Sequence, residues 1–540
     1  MLQLLLGGSG SGKTTLLYQR IRARAEKGKK SILLVPEQFT SSTEGRIYRE
    51  LGDALSGMVE SFSFTSLAEK ILSTEGGAAV QTLSDAGRAV LVRRALEELQ
   101  DNVHYYHRHR RSAAFCQMAA QTIDELKSAG LSGRQLAQLA GACGAESGKL
   151  SELALIFQGY ETLLARSGMD PSDRLELAGA RLEEALARHS LPEFLRDRAV
   201  FIDEFDTFNA PKKRLLGAML AALPTVTVAL CDDGAPLLPG DLSLFSGAKQ
   251  VAAQLRQLAR KNGAEVAVPQ LLRKDLRHRN APGLAAVAEL LETGSCTADA
   301  PAGEVRLFAA PSREEEARAA AGAIRRLMRQ GVRCGKIAVV CRDIAKYRAA
   351  VRYEFRMAEI PLYCDEPTTP EFSAPATAVR ALLEIARGAD LTENLTTLAK
   401  TGLCALSEEQ VCALENYAYT WAPTAAAWRE KFERSPKGFG EQELTEEDLR
   451  NRERAEHARA LLVGAVDAFR AKVRGVNAEA ISRAVYFCLK TLGAEEQQAA
   501  QVKAIRAGRG IPAAEEAARE WNVVMGLLNE MAHLLGEQTV

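Results

Sequence analysis

The sequence has no excess of either charge and no closely paired cysteines. Its 69 Lys and Arg residues balance 69 Asp and Glu residues, so no global positive field marks it as a nucleic-acid binder, and any such role must depend on local patches. None of its ten cysteines has the C-x-x-C spacing of a zinc or redox site. We therefore predict reduced thiols in a cytoplasmic protein.

Long hydrophobic runs are also missing. The longest uncharged stretch, Leu215–Cys231, has 17 residues and contains Pro224, which is too short for a bilayer span and indicates a helix end, a turn and a strand. Met1–Leu6 lacks the basic start of a secretory signal peptide. We predict no membrane segment. The 47% hydrophobic and 26% charged residues are typical of globular chains.

The amino-terminal region alternates strands and helices in the pattern of a parallel α/β sheet. The apolar runs that predict strands are Leu2–Leu6, Ile32–Val35, Met58–Phe64, Ala199–Asp203 and Thr225–Leu230. Helical periodicity dominates between the third and fourth of these runs. We predict a first lobe made of residues 1–84 and 197–290, with an all-helical insertion at residues 85–196.

A second α/β pattern follows residue 300. Strand-like runs occur at Val305–Phe308, Ile337–Val340 and Ile360–Tyr363. Three parallel strands with an uncovered face are not a whole lobe, so we predict that residues 300–373 start an incomplete second lobe. Residues 374–540 show only helical periodicity and are expected to form a second helical insertion. The missing strands are expected beyond residue 540, or the chain is a fragment.

A glycine-rich loop joins the first strand to the first helix. It matches G-x-x-x-x-G-K-[ST], in which backbone N–H groups at a helix N-terminus surround phosphates. Lys13 would reach the β- and γ-phosphates, and the Thr14 hydroxyl would ligate Mg²⁺. ATP and Mg²⁺ are the predicted cofactors. The predicted nucleotide-binding residues are Gly7, Gly8, Ser9, Gly10, Ser11, Gly12, Lys13, Thr14 and Thr15.

A second, acidic strand end completes the predicted magnesium site. The apolar run Val200–Ile202 is followed by Asp203 and Glu204. Asp203 would hold Mg²⁺, and Glu204 would orient or deprotonate the attacking water, so Lys13, Asp203 and Glu204 are the candidate catalytic residues. The alternative is a strand end whose acids are merely solvated. Asp232 and Asp233 follow the next strand, where solvated acids are the more frequent case.

With these residues, the chain resembles the N-terminal half of the AddB/RexB family, the B subunit of the bacterial ATP-dependent helicase/deoxyribonuclease that processes double-strand breaks. The resemblance depends on the early glycine loop followed by Pro36-Glu37-Gln38, on Phe201-Ile202-Asp203-x-Phe205-x-x-Phe208, and on Ile337–Asp343 with Ile360-Pro361. Order and spacing match across essentially the whole chain.

The resemblance implies a superfamily-1 helicase-like fold with two RecA-like lobes, each carrying a helical insertion. It implies an A subunit as partner, single-stranded DNA and duplex ends as substrates, and sensing of a Chi-type sequence. A nuclease domain with a [4Fe–4S] cluster is expected only beyond residue 540. A catalytically weak, nucleotide-binding scaffold is the main alternative. An unrelated P-loop kinase or transport ATPase is a third, but the insertions and the second lobe argue against it.

In such cores, single-stranded DNA crosses the loops that follow the strands, where aromatic side chains stack on bases. The candidate DNA contacts are Gln38, Thr40, Phe64, Phe205, Phe208 and Arg342. The phenylalanines are equally compatible with core packing. The basic run Arg273–Arg279 is predicted to be a solvated face, as charge runs usually are, with a patch that contacts the phosphate backbone of DNA as the alternative. Helicases of this superfamily carry a glutamine motif upstream of the loop to read adenine, and only six residues precede Gly7, so we expect little selectivity for the base of the nucleotide.

Overall fold

The computed structural model describes residues 1–77, 82–142, 144, 147–295, 304–364, 372–440 and 443–536. The chain divides into two compact units. A large unit contains residues 1–279 and 372–540, and a small unit contains residues 280–371.

The large unit contains a six-stranded sheet in which every described pairing is parallel. Its strands are β1 (Leu2–Gly7), β2 (Ser31–Leu34), β3 (Val59–Phe62), β4 (Ala199–Ile202), β5 (Thr225–Cys231) and β6 (Gln270–Leu272), in the spatial order β3-β2-β4-β5-β1-β6. The chain leaves the sheet after β3 and returns at β4. Because all strands run the same way, the ends of β1, β5 and β4 meet at one edge of the sheet.

Both faces of this sheet are covered by helices, which is why its strands are nearly continuous apolar runs. Leu4 and Leu6 of β1 join one core cluster with α-helical residues, whereas Leu5 faces a second cluster on the opposite side with Leu17 and Ile21. This alternation follows from the two-residue period of a strand. The predicted α/β fold with a parallel sheet and large helical insertions is confirmed.

Eleven helices precede the small unit in the described part of the chain. They are α1 (Lys13–Ala25), α2 (Thr40–Leu51), α3 (Asp53–Ser56), α4 (Phe64–Glu75), α5 (Asp85–Glu98), α6 (Ala113–Ser128), α7 (Gly133–Ala140), α8 (Ser147–Ser167), α9 (Pro171–Ala187), α10 (Ala210–Ala222) and α11 (Ser246–Lys261). Helices α5–α8 share a separate core around Leu91, Phe157 and Tyr160.

The small unit contains α12 (Pro282–Thr293), α13 (Arg313–Arg329) and α14 (Ile344–Met357). Its described residues include no strand, so the three strands predicted at 305–308, 337–340 and 360–363 are not formed. Leu307, Phe308 and Val340 are exposed instead. A strand needs a hydrogen-bonded neighbour for its backbone groups, and apolar runs alone do not supply one.

Seven further helices lie in the described residues after 372. They are α15 (Ala374–Ala386), α16 (Leu391–Lys400), α17 (Glu408–Trp421), α18 (Glu446–Lys472), α19 (Ala478–Thr491), α20 (Ala494–Arg509) and α21 (Ile511–Leu535). They pack around a core that includes the fully buried Trp428. Among all described residues, no helix is both long and apolar enough to cross a bilayer.

Candidate nucleotide-binding site

The loop between β1 and α1 can form only because glycine occupies particular positions. Gly12, which precedes α1, has a left-handed backbone with φ of 89°, a conformation that costs other residues energy. A Cβ atom on Gly7 would clash with Ser11 Oγ and would lie 2.7 Å from the Leu272 carbonyl oxygen. The loop therefore turns tightly against the end of β6.

Lys13 and Ser11 place polar groups within this loop. Lys13 Nζ donates hydrogen bonds of 2.8 Å to the carbonyl oxygens of Gly7 and Gly8. Ser11 Oγ is buried and has no hydrogen-bond partner among the described residues. A buried hydroxyl without a partner is unusual in a folded protein, and a phosphate oxygen is the kind of acceptor that would satisfy it. The loop thus fits the phosphates predicted for it.

Asp203 lies directly after β4 and is almost fully buried. Its backbone N–H donates to the Leu34 carbonyl oxygen at 3.1 Å, which holds it at the sheet edge. Burial raises the pKa of Asp203, while the nearby Thr14 hydroxyl and the charges of Arg46 and Lys13 act in the opposite direction. Thr14 and Asp203 therefore meet across the sheet edge, as the predicted Mg²⁺ site requires.

Glu204 follows Asp203 in a left-handed conformation, with φ of 64°. Its backbone N–H donates to Asp203 Oδ1 at 3.1 Å. Glu204 is exposed, but partial desolvation and the neighbouring Asp203 carboxylate raise its pKa, and the charge of Arg46 opposes them. A carboxyl group with a raised pKa is a better proton acceptor than an ordinary one.

Sequence reasoning missed Arg46, Tyr18 and Thr43. They line a cavity of about 230 Å³ together with Thr14, Asp203 and Glu204. The Arg46 guanidinium lies 5.0 Å from the centre of the Tyr18 ring, and it forms no ion pair with any described residue. No motif marks these residues, because they come from α1 and α2 and meet the acids only through the fold.

The basic run at Arg273–Arg279 was predicted to be a solvated face, but part of it packs on the glycine loop. The Leu276 N–H donates to the Gly10 carbonyl oxygen at 3.0 Å, and Arg277 Nη1 donates to Ser9 Oγ at 3.2 Å. The run follows β6 directly, and β6 pairs with β1. The sequence analysis did not predict β6, so it did not predict that the residues after β6 lie beside the glycine loop.

Asp232 follows β5, the strand between β1 and β4. It is buried, and its N–H donates to the Gly7 carbonyl oxygen at 3.2 Å. Burial raises its pKa. Asp233 instead forms an ion pair with Lys249 at 3.2 Å. Thus one of the two acids adjoins the loop, and the other contributes to a salt bridge.

The candidate DNA contacts separate into two groups. Gln38 is exposed and Thr40 half-buried, and both follow β2 at the same sheet edge. Phe205 is also half-buried, with Lys212 Nζ 5.7 Å from its ring centre. Phe64 and Phe208, by contrast, are only 2% and 4% exposed. A base cannot reach these two rings, so they are reassigned from DNA contact to packing.

Arg342, the remaining DNA candidate, lies in the small unit and is exposed. Its contact with DNA stays a prediction. Across the described residues, no cluster of three or more His, Cys, Asp or Glu side chains has the arrangement of a metal centre made by protein ligands alone. A nucleotide-linked Mg²⁺ does not require one, because phosphates and water supply most of its ligands.

Comparison with known proteins connects this site to a family. The family model described as "ADDB, N-terminal" matches residues 4–288. A protein from Desulforudis audaxviator, named as the B subunit of an ATP-dependent helicase/deoxyribonuclease, is 30% identical over 570 residues, which cover 100% of this chain and 48% of the relative. The protein of the same name from Moorella thermoacetica is 29% identical over 566 residues, with 100% and 48% coverage.

A third relative of that name, from Symbiobacterium thermophilum, is 31% identical over 455 residues, which cover 80% of this chain and 38% of the relative. The chain spans about half the length of the curated relatives it matches. The family model covers more than half of the chain and includes the loop and both acids of the site. The chain therefore belongs to the AddB N-terminal family.

Proposed function

We propose that this chain binds Mg-ATP at the loop Gly7–Thr14 and works as the helicase-like part of a DNA helicase–nuclease. The observation that carries the proposal is the meeting of Thr14 with buried Asp203 at the edge where the glycine loop ends. Thr14, which directly follows Lys13 at the end of the loop, lines one small cavity together with the carboxyl groups of Asp203 and Glu204. Those are the groups that hold a magnesium nucleotide in P-loop proteins.

Each residue has a separate task in this proposal. Lys13 binds the β- and γ-phosphates after exchanging its contacts to the Gly7 and Gly8 carbonyl oxygens. Thr14 and Asp203 hold Mg²⁺, which neutralises charge on the phosphate oxygens when bound. Glu204 orients the attacking water and accepts its proton, a role that its raised pKa favours. Arg46 lines the same cavity, and its positive charge acts on both acids.

The same sheet edge supports contact with a DNA strand. Gln38, Thr40 and Phe205 are the candidate residues, and Arg342 is a further candidate in the small unit. Phe205 is half-buried, so one part of its ring is accessible for stacking. The cation of Lys212 beside that ring adds attraction for a phosphate.

The wider function follows from the name of the relatives, which makes each of them the B subunit of an ATP-dependent helicase/deoxyribonuclease. We infer an A subunit as partner, double-strand break ends as substrate and recombinational repair as the process. Sensing of a Chi-type sequence belongs to the same proposal. The protein would act in the cytoplasm. The alternative is a scaffold that binds nucleotide and DNA while the A subunit does all the work.

Hydrolysis measurements distinguish the motor from the scaffold. The chain is assembled with an A subunit in which the lysine of the partner's phosphate-binding loop is substituted, so that the remaining hydrolysis comes from this chain. ATP hydrolysis stimulated by single-stranded DNA is then measured. Glu204→Gln removes the proton acceptor but keeps the side-chain size, so we expect the remaining rate to fall by roughly 10²–10⁴-fold. Lys503→Gln, on the exposed face of α20, is the control and should leave the rate unchanged. Equal rates for wild type and Glu204→Gln would favour the scaffold.

A further inference from the structure

A basic cavity lies at the amino ends of β2, β4 and β5, which is the sheet edge opposite to the nucleotide loop. Its volume is about 860 Å³. It is formed where α1 turns into β2, where the chain enters β4, and by one side of α4. The positively charged residues that line it are Arg24, Lys29, Lys30, Lys70, Arg196 and Arg198.

Arg24 is a partly desolvated cation without an acidic partner. Its guanidinium donates to Ser31 Oγ and to the carbonyl oxygens of Lys30 and Asp197, each at 3.4 Å. All three acceptors are uncharged, and burial lowers the pKa of Arg24. A charge removed from water is costly unless an opposite charge compensates it. An anion in the basic cavity would provide that compensation.

The other cations leave the cavity with a net positive charge. Lys29, Lys30 and Lys70 are exposed and form no ion pair with a described residue. Arg198 is buried and paired with Glu60. Glu193 and Asp197 are the acids that line the cavity. Six positive charges thus face three negative ones, counting Glu60.

The lining favours phosphates over an acidic protein surface. Stable protein interfaces have an apolar centre with a polar rim, but the apolar side chains here are confined to Phe194 and Pro224. Arginine and lysine both bind phosphate, arginine through paired hydrogen bonds and lysine as a point charge. All six cations of the lining can therefore contact phosphate oxygens, and the three lysines among them are exposed.

We propose that the basic cavity binds the phosphate backbone of a DNA strand, as a contact separate from Gln38, Thr40 and Phe205. The proposal rests on the proposed function in that DNA is the polyanion this protein meets. The basic cavity lies at the start of β2, and Gln38 and Thr40 follow its end. The four residues of this strand therefore separate the two proposed DNA contacts by roughly 13 Å or more. DNA bound at both edges of the sheet would contact the same lobe at two points. Only the contact at Gln38, Thr40 and Phe205 adjoins the proposed nucleotide site.

The test is the salt dependence of DNA binding by the 540-residue chain. Anisotropy of a labelled single strand, and of a duplex of the same sequence, is measured over a series of salt concentrations. The variant carries Lys29→Gln and Lys30→Gln. The control carries Lys503→Gln and Arg506→Gln, two exposed charges on α20. Melting curves verify that both fold.

Loss of two phosphate contacts should weaken binding several-fold at low salt and reduce the slope of log affinity against log salt by about 1.4 for a single strand, or about 1.8 for a duplex. If the variant loses more affinity for one of the two probes, that probe is the form of DNA, single strand or duplex, that the cavity binds. Lys70→Gln, on a different element, should give about half of the change. The control pair should keep the wild-type slope.

A Lys29/Lys30 variant with the slope and affinity of the control would overturn the proposal, while binding that still depends on Gln38 or Phe205 would leave the proposed function intact. If the variant kept its DNA slope but lost association with the A subunit, an acidic protein surface would be the occupant and the proposal would be wrong. If the wild-type chain bound neither probe, this proposal and the DNA part of the proposed function would both fail.

Discussion

Glu204 holds a left-handed backbone that glycine, but not glutamate, adopts without cost. Such strain is of the order of 1 kcal/mol or more for a non-glycine residue and is common at functional sites. Asp203 beside it is also unfavourable for stability, because burial penalises its charge. Both residues therefore cost the unliganded fold energy, which fits side chains placed for a ligand.

The strain at Glu204 predicts an unusual order of stabilities. Glycine normally destabilises a protein relative to alanine, but Glu204→Gly should be more stable than Glu204→Ala by about 1 kcal/mol, since only glycine relaxes at φ of 64°. Urea denaturation of the two variants measures the difference. A more stable alanine variant would show that residue 204 is not strained.

Replacement of Asp203 by asparagine should stabilise the folded protein by an amount that depends on pH. Its pKa is raised in the folded protein, so its contribution to stability is fully present below the ordinary aspartate range and is lost as pH rises through the folded-state pKa. At neutral pH, Asp203→Asn should raise the melting temperature and abolish the Mg²⁺-dependent part of nucleotide binding. The difference in melting temperature between Asp203→Asn and wild type should shrink as the pH falls toward the pKa of an ordinary aspartate. A variant less stable than wild type at neutral pH would contradict the assigned pKa shift.

Among the helices, a buried carboxylate joins elements that are far apart in sequence. Glu530 of α21 is buried and accepts hydrogen bonds from the N–H and hydroxyl of Ser84, which caps α5. Arg94 Nη1 donates to the Leu534 carbonyl oxygen at 2.7 Å. A Cβ atom on Gly87 would clash with Glu530 Oε1. The helices of residues 85–196 and of 374–540 are thus physically connected.

Removal of this connection should loosen both helices. Glu530→Ala leaves the first turn of α5 without its acidic acceptor, at a cost of about 2–3 kcal/mol. Hydrogen exchange should rise at the start of α5 and in the last turns of α21. Glu530→Gln keeps one acceptor oxygen and should show a smaller rise. Exchange in α5 that is unchanged in Glu530→Ala would mean that the two regions are independent.

Elements whose pattern is local could be predicted from the sequence. The apolar runs of β1, β2, β4 and β5 and the glycine loop were sufficient to predict the sheet edge that carries Asp203 and Glu204. The three residues of β6 are too few for a recognisable period, so the approach of Leu276 and Arg277 to the loop was missed. Arg46 reaches the site through the packing of α2, which no motif records. In the small unit, apolar runs without partners did not become strands.

At the scale of the whole molecule, the equal numbers of acidic and basic residues in the chain conceal how charges are placed at the two edges of the sheet. Asp203, Glu204 and Asp232 lie at the edge that carries the glycine loop, and the basic cavity lies at the opposite edge. The two proposals therefore assign a divalent cation to the first edge and a polyanion to the second. Net charge alone could not reveal this, because it averages over both edges.

Binding of a magnesium nucleotide by the loop Gly7–Thr14 is the central role proposed for this chain. It is tested by equilibrium binding of a fluorescent ATP analogue to the wild-type chain and to Lys13→Ala, with and without Mg²⁺. Loss of the charged hydrogen bonds of Lys13 to phosphate should weaken binding by roughly 10–100-fold, while Lys503→Gln should bind as wild type does. Equal affinity of wild type and Lys13→Ala would show that this loop does not hold the nucleotide.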